Sequence, residues 1–356
     1  MDLLRRRLHA QRLAGPPLER PEDVVRLLLG VQSQDYPGAK WSLAQRLRQG
    51  TDAAVDRAFS AGRILRTHVL RPTWHFVTPA DIRWLLRLTG PRVLAQSAYQ
   101  YPRLELGPAV FRRCHAVFER ALRDGRHLTR SELADALGRA GIVARGQRLA
   151  YIVAEAELTG LVCSGAPRGK HQTYALLEER VPAAGVPEGE EALAELTLRF
   201  FTGHGPAGLR HFAWWASLTR ADARLGLSLV QDRLARVDVA RETYWLSPDA
   251  GAPPRARPRA YLIPEFDELI LGYKDAALPD LPRARGKARW SDDWLRPVIV
   301  GGKRAGTWRR ATTRGGVALE TNLFARLDPA GARALRLAAE RYEAFLGVPV
   351  RLVPPG

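Results

Sequence analysis

The sequence predicts an α+β fold, mostly helical, in which one order of elements occurs three times before a C-terminal region rich in strands. Apolar residues recur at helical spacing in short segments that end at glycines or polar turns. Each group of such segments is followed by two runs rich in β-branched and aromatic residues, which indicate a β-hairpin. The 356 residues suffice for two or three domains with a buried core.

The first repeat is assigned to residues 1–105. Its first helix has a proline start at Pro21 and is expected to stop at Gly30. The predicted elements are helices at residues 22–29, 40–48 and 53–61, followed by a hairpin with the sequence ILRTHVLRPTWHFV at residues 64–77. Three short helices followed by a two-stranded hairpin is the order of a winged helix, a form of the helix-turn-helix motif.

The second repeat, residues 106–185, gives the clearest prediction. Thr129 and Ser131 are candidate caps for a helix at residues 128–137, and a strongly patterned helix covers residues 149–160. The hairpin LVCSGAPRGKHQTYALL then follows, with a polar tip. We predict a second winged helix here.

The third repeat is assigned to residues 186–250 and the C-terminal region to residues 251–356. The segments that define them are a helix through Phe200, a helix carrying Trp214 and Trp215, a helix at 219–226, the strand-like LARVDVARETYWL, a linker at 247–258, the strand-like RAYLIPEFDELILGY, and a closing helix at 327–346. The hairpin RPVIVGGKRAGTWRRA has residues 301–304 at its tip.

The charge indicates the class of partner. There are 55 basic and 37 acidic residues, a formal net charge of +18 and a pI near 10.8. A field of this sign favours association with polyanions, so nucleic acid is the leading partner. An anionic membrane surface is the alternative, but the sequence has no basic amphipathic helix with an aromatic apolar face. Two cysteines without metal spacing, and no signal or membrane segment, favour a reducing cytoplasm.

Two glutamines, Gln32 and Gln34, form the most distinctive candidate site. In an extended segment, residues two positions apart share one side, so both amides should face the same point. Glutamine cannot titrate and is not a general base in the ordinary sense, but its amide can orient a water molecule. The structural alternative is that both glutamines hydrogen-bond the loop backbone.

Basic residues on the predicted hairpins are candidate contacts to DNA phosphates. They are Arg66, Arg71, Arg168, Lys170, Lys303, Arg304, Arg309 and Arg310, with His68 and Gly302 beside them. The alternative is that they lie on solvated loops. A tryptophan near a groove, among Trp74, Trp214 and Trp215, could stack on a base.

Other reactive side chains carry no clear function. We expect Asp267 and Glu268 to pair with arginines, and His68, His75, His204 and His211 to make polar or packing contacts. Because no third ligand has metal spacing, and no phosphate-binding or dinucleotide motif is present, we expect no metal and no cofactor.

These segments resemble the winged-helix DNA glycosylases of the AlkZ and YcaQ (AlkX) superfamily, nearly from end to end. The resemblance rests on LLGVQSQDYPGAKWSLAQRL, ILRTHVLRPTWHFVTPADI, GLRHFAWWASLT, YLIPEFDELILGY, and GTWRRA followed by LFARLDP. It implies tandem winged helices in a C shape around a basic concave surface, with a further β-hairpin that enters DNA. It also implies monofunctional hydrolysis of the N-glycosidic bond of N7-alkylated purines.

The resemblance also implies which residues are catalytic. Gln32-Ser33-Gln34 matches the Gln-x-Gln motif of the AlkZ branch, whereas the YcaQ branch has Gln-x-Asp. AlkZ-like enzymes imply bulky natural-product adducts or interstrand crosslinks as substrates, and a role in self-resistance to DNA-alkylating antibiotics. A pair of amides offers only dipoles, which suits a base that is already cationic through N7 alkylation.

Two other functions stay open. A non-catalytic winged-helix transcription regulator would have the same charge and motifs, but is usually a dimer that binds paired half-sites. A YcaQ-like housekeeping enzyme would differ only in its range of lesions. The glycosylase hypothesis predicts a monomer that acts on double-stranded DNA containing alkylated purines, in the cytoplasm at the nucleoid.

Overall fold

The computed structural model describes residues 2–183, 185–239, 241–251, 259–274 and 296–353. After helix α1 (Leu3–Ala10), the first unit contains α2 (Pro21–Leu28), β1 (Val31–Gln32), α3 (Tyr36–Ala44), α4 (Asp52–Ser60), β2 (Leu65–Val69) and β3 (Arg71–Val77). The short β1 pairs with β3, which gives an antiparallel sheet in the order β1-β3-β2. This is the element order of a winged helix, as predicted. Helix α5 (Pro79–Ser97) leads to the second unit.

The second unit repeats this order. It contains α6 (Pro108–Leu122), β4 (Leu128–Thr129), α7 (Arg130–Arg139), α8 (Gly146–Leu158), β5 (Val162–Ser164) and β6 (Thr173–Leu176), followed by the short α9 (Leu177–Arg180). Its sheet has the order β4-β6-β5. The predicted cap Thr129 forms a capping box with Glu132, which satisfies backbone N–H groups at the start of α7.

The third unit has the same order in reduced form. It contains α10 (Gly189–His204), α11 (Leu209–Trp215), α12 (Arg220–Val230), β7 (Ala235–Val239) and β8 (Glu242–Leu246). A single bridge between Ala207 and Trp245 stands where the other units have their first strand. The element order expected from the sequence therefore occurs three times, the third time with a bridge in place of the first strand.

The C-terminal region is a five-stranded sheet covered by one long helix. It contains β9 (Ala260–Leu262), α13 (Glu268–Leu271), β10 (Pro297–Val300), β11 (Lys303–Thr313), β12 (Gly316–Leu323), α14 (Pro329–Leu346) and β13 (Val350–Val353). The order is β13-β12-β11-β10-β9, antiparallel except for β12 and β13. Aromatic rings of Trp308 and Tyr342 join the sheet to α14, and Trp41 of α3 packs on Tyr342 at 4.9 Å.

The N-terminal helix belongs with this last region rather than with the unit that follows it. Leu4 and Leu8 of α1 pack against Tyr261, Ile263 and Ile299, which are far away in sequence. Of the linker expected at residues 247–258, the part 252–258 lies outside the described residues. No described helix combines the length and apolar character needed to cross a membrane.

Several predicted boundaries are corrected. Helix α3 begins at Tyr36 and not near residue 40, because Pro37 fits the first turn of a helix instead of forming part of a loop. Helix α2 ends at Leu28, one residue earlier than expected, because the φ of Leu29 is +64°. Gly30 then passes so close to the hairpin β2–β3, the first wing, that a Cβ on it would lie 2.9 Å from the side chain of Leu70.

Two further corrections concern whole elements. The segment RAYLIPEFDELILGY is not one strand, since β9 ends at Leu262 and Asp267 caps the helix α13. The long helix α5 was not predicted.

A buried ion pair joins the segment just after α3 to the residue that caps α13. Arg46 and Asp267 are both fully buried, and two guanidinium nitrogens of Arg46 each lie 2.8 Å from a carboxylate oxygen of Asp267. Arg46 also donates to the backbone and side chain of both Gln11 and Ser42. The expected pairing of Asp267 with an arginine is confirmed. Full satisfaction of both groups is what makes burial of the charges tolerable.

Arg46→Met should lower the free energy of unfolding by about 3–5 kcal/mol, because Asp267 would be left buried without its counter-charge. The exposed pair Arg48–Glu19, at 2.7 Å, provides the control. Arg48→Met should cost about 1 kcal/mol or less. Chemical denaturation measures both, and adding Asp267→Asn to Arg46→Met should recover part of the loss. Equal small effects at the two arginines would contradict the structural role of this pair.

Candidate active site

A cleft of about 420 Å³ lies where the wing of the first unit meets α5, α11 and α13. Its walls are formed by Gln32, Arg71, Pro72, Thr73, Arg92, Gln96, Ala213, Trp214, Ser217, Leu218 and Leu271. Of the two candidate glutamines, Gln32 lines this cleft.

Gln32 is held in the cleft wall at both its backbone and its side chain. It lies on β1 opposite His75 of β3 and is 7% exposed. Its backbone N–H donates to Oε1 of Glu268 at 3.1 Å. Its side-chain Oε1 accepts a hydrogen bond of 3.1 Å from Nη2 of Arg71. The local strand pairing therefore fixes where the amide lies, and Arg71 fixes how it is turned.

The guanidinium of Arg71 is half-buried in the cleft wall beside Gln32. Besides the bond to Gln32, Nη1 donates to the carbonyl of Leu271 at 3.2 Å, and Nη2 lies 3.3 Å from Nε2 of His75. The guanidinium carbon lies 5.2 Å from the ring centre of Trp214. Burial lowers the pKa of Arg71, and the negative charge of Glu268 opposes this shift.

Glu268 is the counter-charge beneath the cleft. Burial alone would raise its pKa, but the hydrogen bond with His204 and the charge of Arg71 outweigh burial and lower the pKa to about 2. Its Oε2 accepts from Nε1 of Trp215 at 2.7 Å and lies 3.2 Å from Nε2 of His204. An ionised carboxylate thus joins β1 of the first unit to α10 and α11 of the third.

His75 is a neutral acceptor in this arrangement. Burial, followed by the nearby charge of Arg71, lowers its pKa to about 3. Its Nδ1 lies 2.9 Å from the carbonyl of Thr73 and must carry the proton to bond with it. Nε2 is then unprotonated and can accept from Arg71. The predicted polar contact of His75 is confirmed.

Gln34 lies at the surface, beyond the end of β1. Its Oε1 is 3.5 Å from the backbone N–H of Trp74, at the limit of a hydrogen bond. The preceding residue, Ser33, donates its N–H to the Trp74 carbonyl at 2.7 Å. Both glutamine oxygens therefore face the hairpin, with Gln32 inside and Gln34 exposed.

Four of the expected DNA contacts are bonded or packed within the protein instead, three of them on the first wing, which packs in part against the second unit. Arg66 donates to the Ser33 carbonyl at 3.0 Å, and its guanidinium stacks 4.3 Å from the ring of Trp74. His68 bonds the buried Glu157 of α8. Arg71 lies beside Gln32 in the cleft wall and bonds Leu271. All three residues are half-buried, which corrects the expected exposed position, and the cause is that the second unit and α13 both contact this wing.

The predicted hairpin tip at residues 301–304 is covered in part, at Gly302 and Arg304. A Cβ on Gly302 would lie 2.7 Å from the side chain of Arg5. Arg304 is buried, with its guanidinium 5.2 Å from the ring of Phe324, although Lys303 is exposed. In the next hairpin, β11–β12, strand β11 extends beyond its pairing with β10, and every residue from Arg309 to Gly315 is exposed. Arg309 bonds Glu320 and Arg310 bonds Tyr342 at the base of this hairpin.

The wing of the second unit is exposed as expected. Lys170 and Arg168 lie at its surface, and Arg168 pairs with Glu132.

Sequence reasoning missed two cleft residues. Arg92 and Gln96 lie exposed on α5, four residues apart and so on one face of the helix. Their spacing is visible in the sequence only once residues 79–97 are recognised as a helix. Trp214, at 37% exposure, is the tryptophan beside a groove, whereas Trp215 is core.

Other chemistries find little support among the described residues. They contain no group of three or more potential metal ligands. Burial raises the pKa of the Cys163 thiol to about 12 and that of Cys114 to about 11, so neither is a ready nucleophile. His211 accepts from the Gly208 N–H, and burial lowers its pKa to about 3.

His75→Gln should make the free energy of unfolding less dependent on pH. The pKa of His75 falls from 6.5 to about 3 on folding. Between pH 3 and pH 6.5, therefore, His75 is protonated in the unfolded chain and neutral in the folded protein. Stability therefore falls as the pH drops below 6.5. For this histidine the loss between pH 7 and 5 is about 2 kcal/mol. Denaturation at both pH values measures it, and identical pH dependence in variant and wild type would contradict a neutral buried imidazole.

Comparisons with known proteins agree with this architecture. A family model described as DNA glycosylase AlkZ-like matches residues 25–345. The interstrand DNA cross-link repair glycosylase of Streptomyces sahachiroi is 26% identical over 305 residues, which cover 80% of this chain and 81% of that protein. The solved structure of the Streptomyces sahachiroi DNA glycosylase AlkZ superposes with a TM-score of 0.76 at 22% identity, over 98% of both chains, and confirms the α+β fold. Because the family model spans most of its length, the chain belongs to the AlkZ-like family of DNA glycosylases.

Proposed function

We propose that this protein is a monofunctional DNA glycosylase that hydrolyses the N-glycosidic bond of N7-alkylated purines in duplex DNA. The observation that carries the proposal is the position of Gln32, fixed between Arg71 and Glu268 in the wall of an open cleft. We extend the substrate range to bulky adducts and interstrand crosslinks, since one relative is named an interstrand cross-link repair glycosylase. A role in DNA repair or antibiotic self-resistance follows from that range.

The chemistry requires little activation of the leaving group. Alkylation at N7 gives the purine a positive charge, so the electron pair of the breaking C1′–N9 bond neutralises the departing base. A water molecule supplies the hydroxyl that remains on C1′, and its second proton passes to solvent. The products are an abasic site and a neutral alkylpurine. Gln32 and Gln34 hold this water at C1′.

The composition of the cleft supports a cationic substrate. No described lining residue is an aspartate, glutamate or histidine, so the cleft wall offers no general base. Glu268 lies behind β1 with both oxygens engaged. Without a carboxylate to deprotonate water, an undamaged purine would leave far more slowly than an alkylated one. We infer selectivity by chemistry as well as by fit.

The openness of the cleft is relevant to bulky adducts. Its mouth is bounded by the exposed side chains of Arg92, Gln96 and Trp214, not by a closed pocket. A large natural-product substituent could then stay outside while C1′ approaches Gln32. Partial extrusion of the nucleotide is sufficient in such a site, in contrast to complete flipping into a snug pocket.

DNA would be held by cationic residues that project from the molecule. We move the DNA-contacting hairpin from residues 301–304 to β11–β12, because residues 309–315 are exposed and include Arg309, Arg310 and Arg314. Lys170, Arg168 and Lys303 are further candidates on exposed turns. Such contacts are made to phosphates and depend strongly on salt.

The proposal also includes the organisation and location of the protein. We propose that the chain is divided into four units, with boundaries at residues 105, 185 and 250, which form a concave binding surface. We further propose that the protein is a monomer in the cytoplasm.

The transcription-regulator alternative is weakened by the second unit. In a helix-turn-helix protein the second helix of the motif enters the major groove, so it must be exposed. In the clearest motif of this chain that helix is α8, which is exposed only at its first two residues, Gly146 and Gln147. Glu157 of α8 bonds Trp74 and His68 of the first unit. Most of this helix is therefore used for packing.

Gln32→Ala/Gln34→Ala should lose at least about tenfold in rate, since removing a residue that positions the reacting groups commonly costs this much or more. The measurement is the release of 7-methylguanine from duplex DNA under single turnover, with DNA affinity determined in parallel. DNA binding should be kept, because neither glutamine contributes charge.

The control is Gln147→Ala, which removes an exposed glutamine at the start of α8 and should keep the wild-type rate. Absence of release by the wild type, both from 7-methylguanine DNA and from DNA carrying a bulky N7 adduct or crosslink, would contradict the proposed function. Release by the double variant at the wild-type rate would contradict the assignment of the site.

A further inference from the structure

The contact between Arg71 and Gln32 determines the orientation of the Gln32 amide. A guanidinium has only N–H donors and no acceptor, so the Gln32 atom 3.1 Å from Nη2 must be the carbonyl oxygen. The amide nitrogen of Gln32 then occupies the other position of the planar group. Oxygen and nitrogen of an amide are otherwise easily exchanged, but here the partner's chemistry decides between them.

We infer that Arg71 is a positioning residue that turns the NH₂ group of Gln32 into the cleft; this inference rests on the proposed glycosylase function. In this arrangement Gln32 acts as a hydrogen-bond donor to the water molecule and Gln34 acts as the acceptor. Gln32 donates to the oxygen of the attacking water. The Oε1 of Gln34, bound only weakly by the Trp74 N–H, accepts one of the water's hydrogens. The second lone pair of the water is left to attack C1′.

Arg71 is itself fixed firmly enough for this task. It is bonded to Leu271 of α13 and to His75 of β3, and its guanidinium lies against the ring of Trp214. The carboxylate of Glu268 supplies the counter-charge, which lets a buried cation remain beside a cationic reaction. Because Glu268 also binds the Gln32 backbone, the same network places both ends of the glutamine.

The arrangement makes the two glutamines unequal. If Gln32 served as the acceptor of the water's proton, a carboxylate in its place would serve as well or better. With Arg71 bound to one oxygen, a carboxylate would instead present an acceptor to the cleft where the inference requires a donor. Gln32→Glu is therefore the decisive variant, because it keeps side-chain size and strengthens pairing with Arg71.

The test measures single-turnover release of 7-methylguanine, together with DNA affinity, for Gln32→Glu, Gln32→Ala, Arg71→Ala, Arg71→Lys and Arg71→Ala/Gln32→Ala. We expect Gln32→Glu to be at least tenfold slower than wild type. Arg71→Ala should slow the reaction about as much as Gln32→Ala, and the double variant should be no slower than Gln32→Ala. Arg71→Lys should recover part of the rate, since one donor can still reach Gln32.

A purely structural role for Arg71 gives different results. The control is Arg199→Lys, which disturbs a half-buried pair with Asp81 away from the cleft and should lower stability without changing the rate. Two results would overturn the inference. One is a wild-type rate in Gln32→Glu. The other is a double variant that is slower than Gln32→Ala by the same factor by which Arg71→Ala is slower than wild type. If Arg71→Ala fails to fold, Gln32→Glu still decides. Failure of the wild type to release base would count against the proposed function instead.

Discussion

The buried carboxylate of Glu268 is the interaction on which the rest of this structure depends. It binds the β1 backbone at Gln32, the indole of Trp215 and the imidazole of His204, three groups from two winged-helix units. Its neighbour Asp267 binds Arg46, which follows α3. An isolated buried carboxylate would be costly, so these partners must all be present together. Their convergence explains why a four-residue helix of the C-terminal region fixes the position of the cleft.

A second consequence concerns how the winged-helix motif is used. Elsewhere, wings and second helices reach DNA, but here the first wing forms the wall behind Gln32, and α8 of the second unit packs on that wing. Arg66, His68 and Arg71 are therefore half-buried groups bonded within the protein despite their basic character. The task of touching DNA falls, in our proposal, to the exposed β11–β12 hairpin. In our proposal the winged-helix motif forms the walls of a cleft and does not place a helix against the DNA bases.

The repeated element order could be predicted from the sequence because it depends on local patterns. The capping residue Thr129, the run of apolar residues in α2 and the paired strands around Arg71-Pro72 each act within a few residues. Gln32 and Gln34 were found for the same reason. Long-range contacts could not be predicted in this way. Nothing near Glu268 in the sequence indicates that its partners are residues 32, 204 and 215.

The mistaken assignments have a common physical cause. A basic residue on a hairpin is a surface phosphate contact only if no other unit covers the hairpin, and coverage is not visible in one sequence. Arg304 is buried and Arg71 is half-buried in the cleft wall, whereas Arg309 and Arg310 are exposed. The helix α5 was missed with its Arg92 and Gln96, so the outer edge of the cleft was missed too.

The most direct test of this account is a crystal structure with duplex DNA that contains a cationic 1-azadeoxyribose in place of the damaged nucleoside, which mimics the charge at C1′. We predict that this sugar lies in the cleft, with the Gln32 amide nitrogen and Gln34 on either side of a water molecule and with Arg71 still bound to the Gln32 oxygen. A mimic bound elsewhere, with Gln32 out of reach of it, would contradict the assignment of the active site.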